Sequence, residues 1–302
     1  MRRALAEVLF LVNPAAGSGR GAAVWRALTQ SHPELRGARA VRECDPAAAR
    51  AAVTAALAGG ARALVAVGGD GTVHHAANAL LGAGLAERVP LGIVPAGTGS
   101  DLARTLGVPM SPAGALELAL AGEPRPLDAI EVRIGAAAPR WVVNSASAGL
   151  SGVVVEAVTA LPRRRATTYV SATVRALASY RPLPCRVAVD GEPFYEGPAF
   201  LWAATNGPTF GKGMRVAPRA RVDDGLAEVV VVGDVPRWQL PLRLPQLLLG
   251  RHLGLPEVHY RQARRVRWEP LVPFPPFELD GEALANEAAE LAVRPGALRV
   301  LR

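Results

Sequence analysis

The sequence predicts a two-domain α/β protein: a parallel-stranded α/β domain over residues 1–125, then a mainly antiparallel β domain over 126–290. Three observations carry that expectation. Up to about Pro126, short aliphatic runs alternate with helix-like segments, the pattern of parallel strands joined by helical crossovers. Beyond it, six strand-like runs are separated by Gly, Pro and Asp turns, as in an antiparallel sheet or sandwich. At 302 residues, half of them apolar, the chain can build two cores.

Val8–Val12 reads as the first buried strand. The preceding Met-Arg-Arg and the small residues that follow trace the outline of a signal peptide, but Glu7 interrupts it. GAAVWRALTQ (21–30) is helix-like. The helix over 47–60 has Asp45 as N-cap, Pro46 at its first position and a Gly-Gly stop. Then come the strand Ala63–Val67, a helix to Leu81, the strand Leu91–Val94 and a helix from about Ser100 to Leu106. SPAGALELALAG repeats the capping pattern with Ser111 and Pro112. In the second half LDAIEVRIG, RWVVNSASA, CRVAVDG, AFLWAATNG, LAEVVVVGD and VHYRQARRVRWEP read as strands. TTYVSATVRALASY (167–180) and RWQLPLRLPQLLLGRHL (237–253) read as helices. Residues 291–302 form a last strand that can return to the first domain.

The net charge is +8, and one of the 34 basic residues, Lys212, is a lysine. This excess suits nucleotide phosphates, nucleic acid or an acidic membrane surface, and equally a surface that uses arginine as its solvated cation. Aromatics are few and the arginines scattered, which speaks against nucleic acid. No apolar run reaches the roughly 18–20 residues of a membrane span. Two cysteines, Cys44 and Cys185, are too few for a disulfide framework or a zinc site and fit a reducing cytoplasm.

Three glycine-rich loops follow strands: NPAAGSGRG (13–21), GGDGT (68–72) and PAGTGSDLAR (95–104). Glycines there let backbone N–H groups approach phosphate oxygens, and a following helix N-terminus favours the same anion. The P-loop is excluded because Lys212 has no Gly-Lys-Ser/Thr context, and GSGRG lacks the dinucleotide spacing. Hydroxyls (Ser18, Thr72, Thr98) and Arg20 complete the phosphate donors. An aspartate among phosphates is repelled unless a magnesium ion or a transferred proton is involved. Asp70 therefore reads as a metal-holding or proton-accepting carboxylate.

These loops, with NGPTFGKGMRVAPRARVDDGLAEVVVV and ELDGEAL, occur in the order found in bacterial diacylglycerol kinase-like lipid kinases. The chain resembles that family from Asn13 to Glu282, is similar to sphingosine and ceramide kinases, and is more distantly similar to NAD kinases. The resemblance implies an ATP-binding first domain, a second domain forming a β-sandwich for the lipid, and a nucleotide in the cleft between them. By motif, Asn13, Pro14, Ala15, Ala16, Gly17 and Ser18, then Gly68, Gly69, Asp70, Gly71 and Thr72, then Gly97 and Thr98, take the nucleotide. Asp70 and Asp101 match the family's functional aspartates, and Glu282 matches a position proposed as general base. Asp224 matches a magnesium ligand, with the backbone carbonyls of Arg221 and Leu226 as companions. The implied cofactors are ATP and Mg2+. The implied setting is cytoplasmic, peripheral to the inner face of a membrane, with a homodimer left open. Diacylglycerol, phosphatidylglycerol, a polyprenol or a sphingoid base each presents a hydroxyl of the required kind. An NAD kinase and a non-catalytic nucleotide- or lipid-binding sensor are the competing readings.

Departures and plainer readings stand beside these. His74 and His75 replace a usual glutamate; about 100° apart on a helix, they read as polar surface or cleft residues rather than a metal pair. Ser100 replaces an asparagine and keeps a capping side chain. A threonine usual after the second strand is replaced near Cys44. Asp101 alone could serve a helix dipole, and Asp223–Asp224 alone an ordinary turn. LDGE differs from the hairpin VDGE (189–192) only by its place in the motif order. Arg163–Arg165 reads as a solvated face or a headgroup contact, and LPQLLLGRHL as core or lipid contact.

Overall fold

Five consecutive aliphatic or aromatic residues, Val8–Val12, form strand β1, and every one is buried. The computed structural model describes residues 3–159, 172, 175–177 and 179–302. They fall into two units, Met1–Leu127 with Gly296–Arg302, and Asp128–Pro295. The arginine run Arg163–Arg165 and most of the helix expected over 167–180 lie outside the described residues.

In the first unit β1 pairs in parallel with β2 (Arg39–Arg42) and β3 (Ala63–Gly68), and β3 with β4 (Leu91–Pro95). β1, β3 and β4 are buried at every position, as strands of a parallel sheet covered on both faces are. Helices α1 (Ala16–Ser31), α2 (Pro46–Ala58) and α3 (Asp70–Gly82) connect them, followed by α4 (Asp101–Thr105) and α5 (Pro112–Ala121). Asp45 caps α2, its Oδ1 accepting the Ala48 N–H at 2.8 Å. Val300, near the end of β16 (Ala289–Leu301), pairs in parallel with Leu91. The strand order β2-β1-β3-β4 reverses direction between β1 and β3. In an open parallel sheet that reversal splays the two crossover loops apart and leaves a crevice beyond the strand ends.

Two capping expectations fail. Ser111 stands at the N-cap of α5, but its side chain makes no capping bond. Ser100 precedes α4 in a left-handed conformation (φ 55°), and its buried Oγ has no hydrogen-bond partner. A cap needs extended backbone to aim its side chain at the helix. Ser100 is bent away because its own N–H is engaged elsewhere, as shown below.

The second unit is a two-sheet sandwich. One sheet runs β16-β13-β8-β9, with β5 (Pro124–Ile134) beside β16 and β6 (Arg140–Val142) beside β5. Here β8 is Leu183–Val189, β9 Glu192–Ala199 and β13 Arg265–Pro270. The other runs β12-β11-β10-β7-β14-β15. Its members are β7 (Ser145–Gly149), β10 (Leu201–Thr205), β11 (Ala227–Val232), β12 (Val258–Ala263), β14 (Phe277–Leu279) and β15 (Glu282–Leu284). Between the sheets the ring of Trp202 stacks on Trp268 at 4.9 Å and on Phe277 at 5.5 Å. Helices α6 (Leu150–Thr159) and α7 (Leu240–Leu248) belong to the same unit. The second of the expected helices shortens to α7, with Pro241 at its start, Pro245 inside it and a 3-10 turn at Arg237–Gln239 before it.

Three runs read as single strands are each two strands in different sheets. RWVVNSASA divides into β6 and β7, AFLWAATNG into β9 and β10, and VHYRQARRVRWEP into β12 and β13. In the latter two the core positions Ala199 and Trp202, and Ala263 and Val266, are three residues apart. A strand alternates every two residues, so the slip by one at each corner lets both halves face the same core. Since Trp202 is fully buried at the centre of this core, Trp202→Ala is expected to cost about 3–5 kcal/mol. Urea denaturation followed by near-UV circular dichroism measures the loss.

Candidate active site

All three glycine-rich loops sit at the carboxyl ends of β1, β3 and β4. In the first, Asn13 Oδ1 accepts the Ala15 N–H at 3.0 Å. Gly17, Ser18 and Gly19 then turn left-handed in succession, with φ of 57°, 61° and 96°. A Cβ on Gly17 would stand 2.3 Å from the Ala96 carbonyl oxygen, so this loop lies directly against the third. Pro14 and Ala16 complete the turn, and Ser18 and Arg20 are exposed.

The second and third loops meet through bare backbone. A Cβ on Gly97 would lie 2.4 Å from the Cα of Gly69. Asp70, the first residue of α3, extends across that contact. Its Oδ2 accepts the Ser100 N–H at 2.7 Å and its Oδ1 the Leu102 N–H at 3.4 Å. Asp70 thereby does for α4 what the sequence assigned to Ser100, from thirty residues away. Thr72 is buried, packed against Gly68, while Gly71 faces open space and Thr98 is exposed. Asp101 is buried, and its Oδ1 accepts from Arg104 Nη1 at 3.0 Å. The result is a surface of glycine backbone, exposed hydroxyls and arginine at the carboxyl ends of parallel strands, chemistry suited to a polyphosphate.

The two histidines differ from expectation. Of the expected surface or cleft positions, a surface one is ruled out for His74, which is buried within 3.3 Å of the Asn78 amide through Nε2. The rings do not diverge but meet edge to face at 5.4 Å, and His75 Nδ1 lies 3.4 Å from Arg50.

In the second unit Glu282 opens β15 directly after a tight turn at Asp280 and Gly281, whose φ values are 51° and 92°. Asp280 is buried and accepts three backbone N–H groups, from Val143 and Asn144 at 2.9 and 3.0 Å and from Ser145 at 2.8 Å. The look-alike turn at Asp190 is exposed, and its Oδ1 accepts the N–H groups of Arg264 and Arg265 at 3.0 and 2.8 Å. So Glu282 is mounted on a turn clamped into the sheet corner between β6 and β7. Asp224 is exposed and accepts the N–H of Leu226 at 3.1 Å. The same turn is fixed by Asp128, buried on β5, whose Oδ2 accepts the Gly225 N–H at 2.6 Å. Arg221 precedes that turn and is exposed.

Sequence reasoning passed over Asp280, Asp128, Arg104 and Glu278. Asp128 and Glu278 carry one signal: an acid inside an otherwise apolar strand pattern. Glu278 on β14 points away from the sandwich core, into the wall of an apolar cavity of about 100 Å³. Leu150, Val154, Phe200, Phe210, Met214 and Leu247 contribute to its lining. Burial, with the Asp280 charge adding to it, pushes the Glu278 carboxyl up to about 7, although the Ser147 hydroxyl donates to it at 2.9 Å and opposes the shift.

Because the folded value exceeds the ordinary 4.5, the native state keeps a proton that the unfolded chain loses as pH rises between those values. Stability is expected to fall through that window by up to a few kcal/mol and to level off above it. Glu278→Gln should flatten the dependence, as read by urea denaturation from pH 4 to pH 8.

Comparison with known proteins agrees with this layout. A family model described as the diacylglycerol kinase catalytic domain matches residues 7–132, and one described as the YegS C-terminal NAD kinase beta sandwich-like domain matches 144–302. A protein named diacylglycerol kinase from Mycobacterium tuberculosis is 31% identical over all of this chain and 96% of its own length. A protein named "Probable lipid kinase YegS-like" from Chromohalobacter salexigens is 35% identical over 82% of this chain and 78% of its own. The fold is also that of a crystal structure of a diacylglycerol kinase from Bacillus anthracis, with a TM-score of 0.72, 22% identity, and 98% and 96% of the two chains covered. Matched in both halves and in this order, the chain belongs to the diacylglycerol kinase catalytic-domain family and is a lipid kinase.

Proposed function

We propose that this enzyme transfers the γ-phosphoryl group of ATP to a hydroxyl of a lipid such as diacylglycerol, at the inner face of a membrane. The observation that carries this reading is the meeting of three glycine loops at the carboxyl ends of β1, β3 and β4, the second tied to the third by Asp70 and the first packed on the third at Gly17 and Ala96. The first unit holds the nucleotide, through the backbone of residues 13–18, 68–72 and 97–98 and the hydroxyls of Ser18 and Thr98. The second unit supplies the lipid's side. Its apolar cavity suits a hydrocarbon chain, and Glu282 is mounted on a turn that does not yield.

In the reaction the lipid hydroxyl oxygen forms a bond to the γ-phosphorus as the bond to the bridging oxygen breaks and ADP leaves. Glu282 takes the hydroxyl proton. Asp70 orders the loops and their phosphate-facing amides. Asp101, neutralised by Arg104, holds that arginine beside them rather than accepting a proton. Magnesium, when bound with the nucleotide, neutralises charge on the phosphate oxygens. A second magnesium ion would be held at the turn of Asp224, whose carboxylate and the carbonyls of Arg221 and Leu226 would supply the hard oxygens it takes.

The test is transfer of label from γ-labelled ATP with magnesium, offering lipids in mixed micelles and NAD as acceptors. A labelled lipid is expected. Labelled NADP would overturn the acceptor class, and ATP binding without any product would mark a sensor instead. Asp70→Asn keeps an oxygen for the Ser100 N–H but removes the charge. It should lose about a hundredfold or more in kcat with its thermal midpoint nearly unchanged. Glu282→Gln should lose about 10²–10⁴-fold in kcat. Wild-type turnover in either variant ends the assigned role.

A further inference from the structure

Helix α7 carries apolar side chains on two sides. Leu240 and Leu247 line the cavity of the second unit. Trp238, just before the helix, is 73% exposed, Leu242 63%, Leu248 45% and Leu249, just after it, 60%. A helix that only covers a core turns charge or polarity outward, and scattered single leucines need no account. Four large apolar side chains within residues 238–249 form a patch that does.

Cations flank it. Arg251 follows directly and is exposed, and Arg215, also exposed, lies beside the turn, since a Cβ on Gly250 would stand 3.2 Å from that of Arg215. Among the described residues neither arginine has an ion-pair partner, whereas Arg243, on the cavity side of α7, is paired with Glu257 at 2.8 Å.

We propose that α7 and its flanks dock this protein on an anionic bilayer, with Trp238, Leu242, Leu248 and Leu249 entering the boundary between headgroups and acyl chains. Arg215 and Arg251 meet the lipid phosphates there. Apolar side chains ringed by outward cations match an anionic interface, and tryptophan favours that depth. A second copy of the chain is the poorer occupant, because a twofold contact through the same patch gathers four arginines at one interface, whereas a bilayer offers them phosphates. The inference rests on the lipid-kinase reading for its purpose: α7 touches both the bilayer and the cavity, so a lipid leaving the membrane enters past one helix.

The test measures co-sedimentation of the full chain, without ATP, on vesicles of phosphatidylcholine and of phosphatidylcholine mixed with phosphatidylglycerol. Wild type is expected to bind the anionic vesicles more strongly, with tryptophan fluorescence shifting to the blue. The double variant Leu242→Ser/Leu249→Ser should lose about tenfold or more in partition to both vesicle types. Arg215→Ser/Arg251→Ser should lose only the increment due to phosphatidylglycerol. Both should keep transfer to a short-chain, monomeric diacylglycerol, so a failed kinase reading shows in that assay and a failed docking reading in the vesicles. Equal binding by wild type and the leucine variant, or no wild-type binding, overturns the proposal. So does a wild-type dimer that the leucine variant splits while vesicle binding stays unchanged.

Discussion

The pair of hydrogen bonds from the Ser100 and Leu102 amides to Asp70 is the contact on which the first unit's site depends. Loops at strand ends have high conformational entropy, and glycines raise it further. A charge-assisted bond to a half-buried carboxylate offsets that freedom without adding a side chain between the glycine loops. Gly69 and Gly97 touch through bare backbone for the same reason: any Cβ would pry the two loops apart. The cost appears at Ser100, which is left-handed with an unpartnered hydroxyl.

The second unit repeats this use of aspartate. Asp280 gathers three amides at the corner between β6 and β7, and Asp128 gathers one from the turn bearing Asp224. Each anchor lies two residues from, or holds the turn of, a carboxylate to which we assign a part in the reaction, Glu282 or Asp224. A carboxylate whose lone pairs are filled by backbone amides is a rigid fixture. The neighbour it positions can then reach a substrate from a fixed backbone. Glu278 is the contrasting case, a carboxyl given apolar surroundings instead of amides, and its proton affinity rises accordingly.

Much of this architecture was legible. The aliphatic runs of β1, β3 and β4, the cap at Asp45 and the glycine loops were all placed by period, capping chemistry and glycine spacing. Asp70 stood out because a carboxylate among phosphate-binding glycines asks for a reason. Less legible were the sheet corners at Phe200 and Arg264, where two strands run on as one string. Their only trace is a core spacing of three instead of two, which a pattern search reads as noise. The leucines of α7 had the composition of a core segment, and only the fold turned Leu242 and Leu249 outward.

By itself the sequence determined the strands β1, β3 and β4 with helices between them, which loops carry glycine, and that Asp70, Asp101 and Glu282 belong to one ordered motif set. These follow from local chemistry: period, φ freedom and capping. Only the tertiary structure decided which carboxylates accept backbone amides from distant segments, that the aspartate of LDGE is buried while that of VDGE is exposed, and that Glu278 faces an apolar chamber. Those properties arise from groups brought together across 30 residues at Asp70 and 135 to 137 at Asp280. Burial and hydrogen-bond partners at that range are set by packing, and no window of sequence contains them.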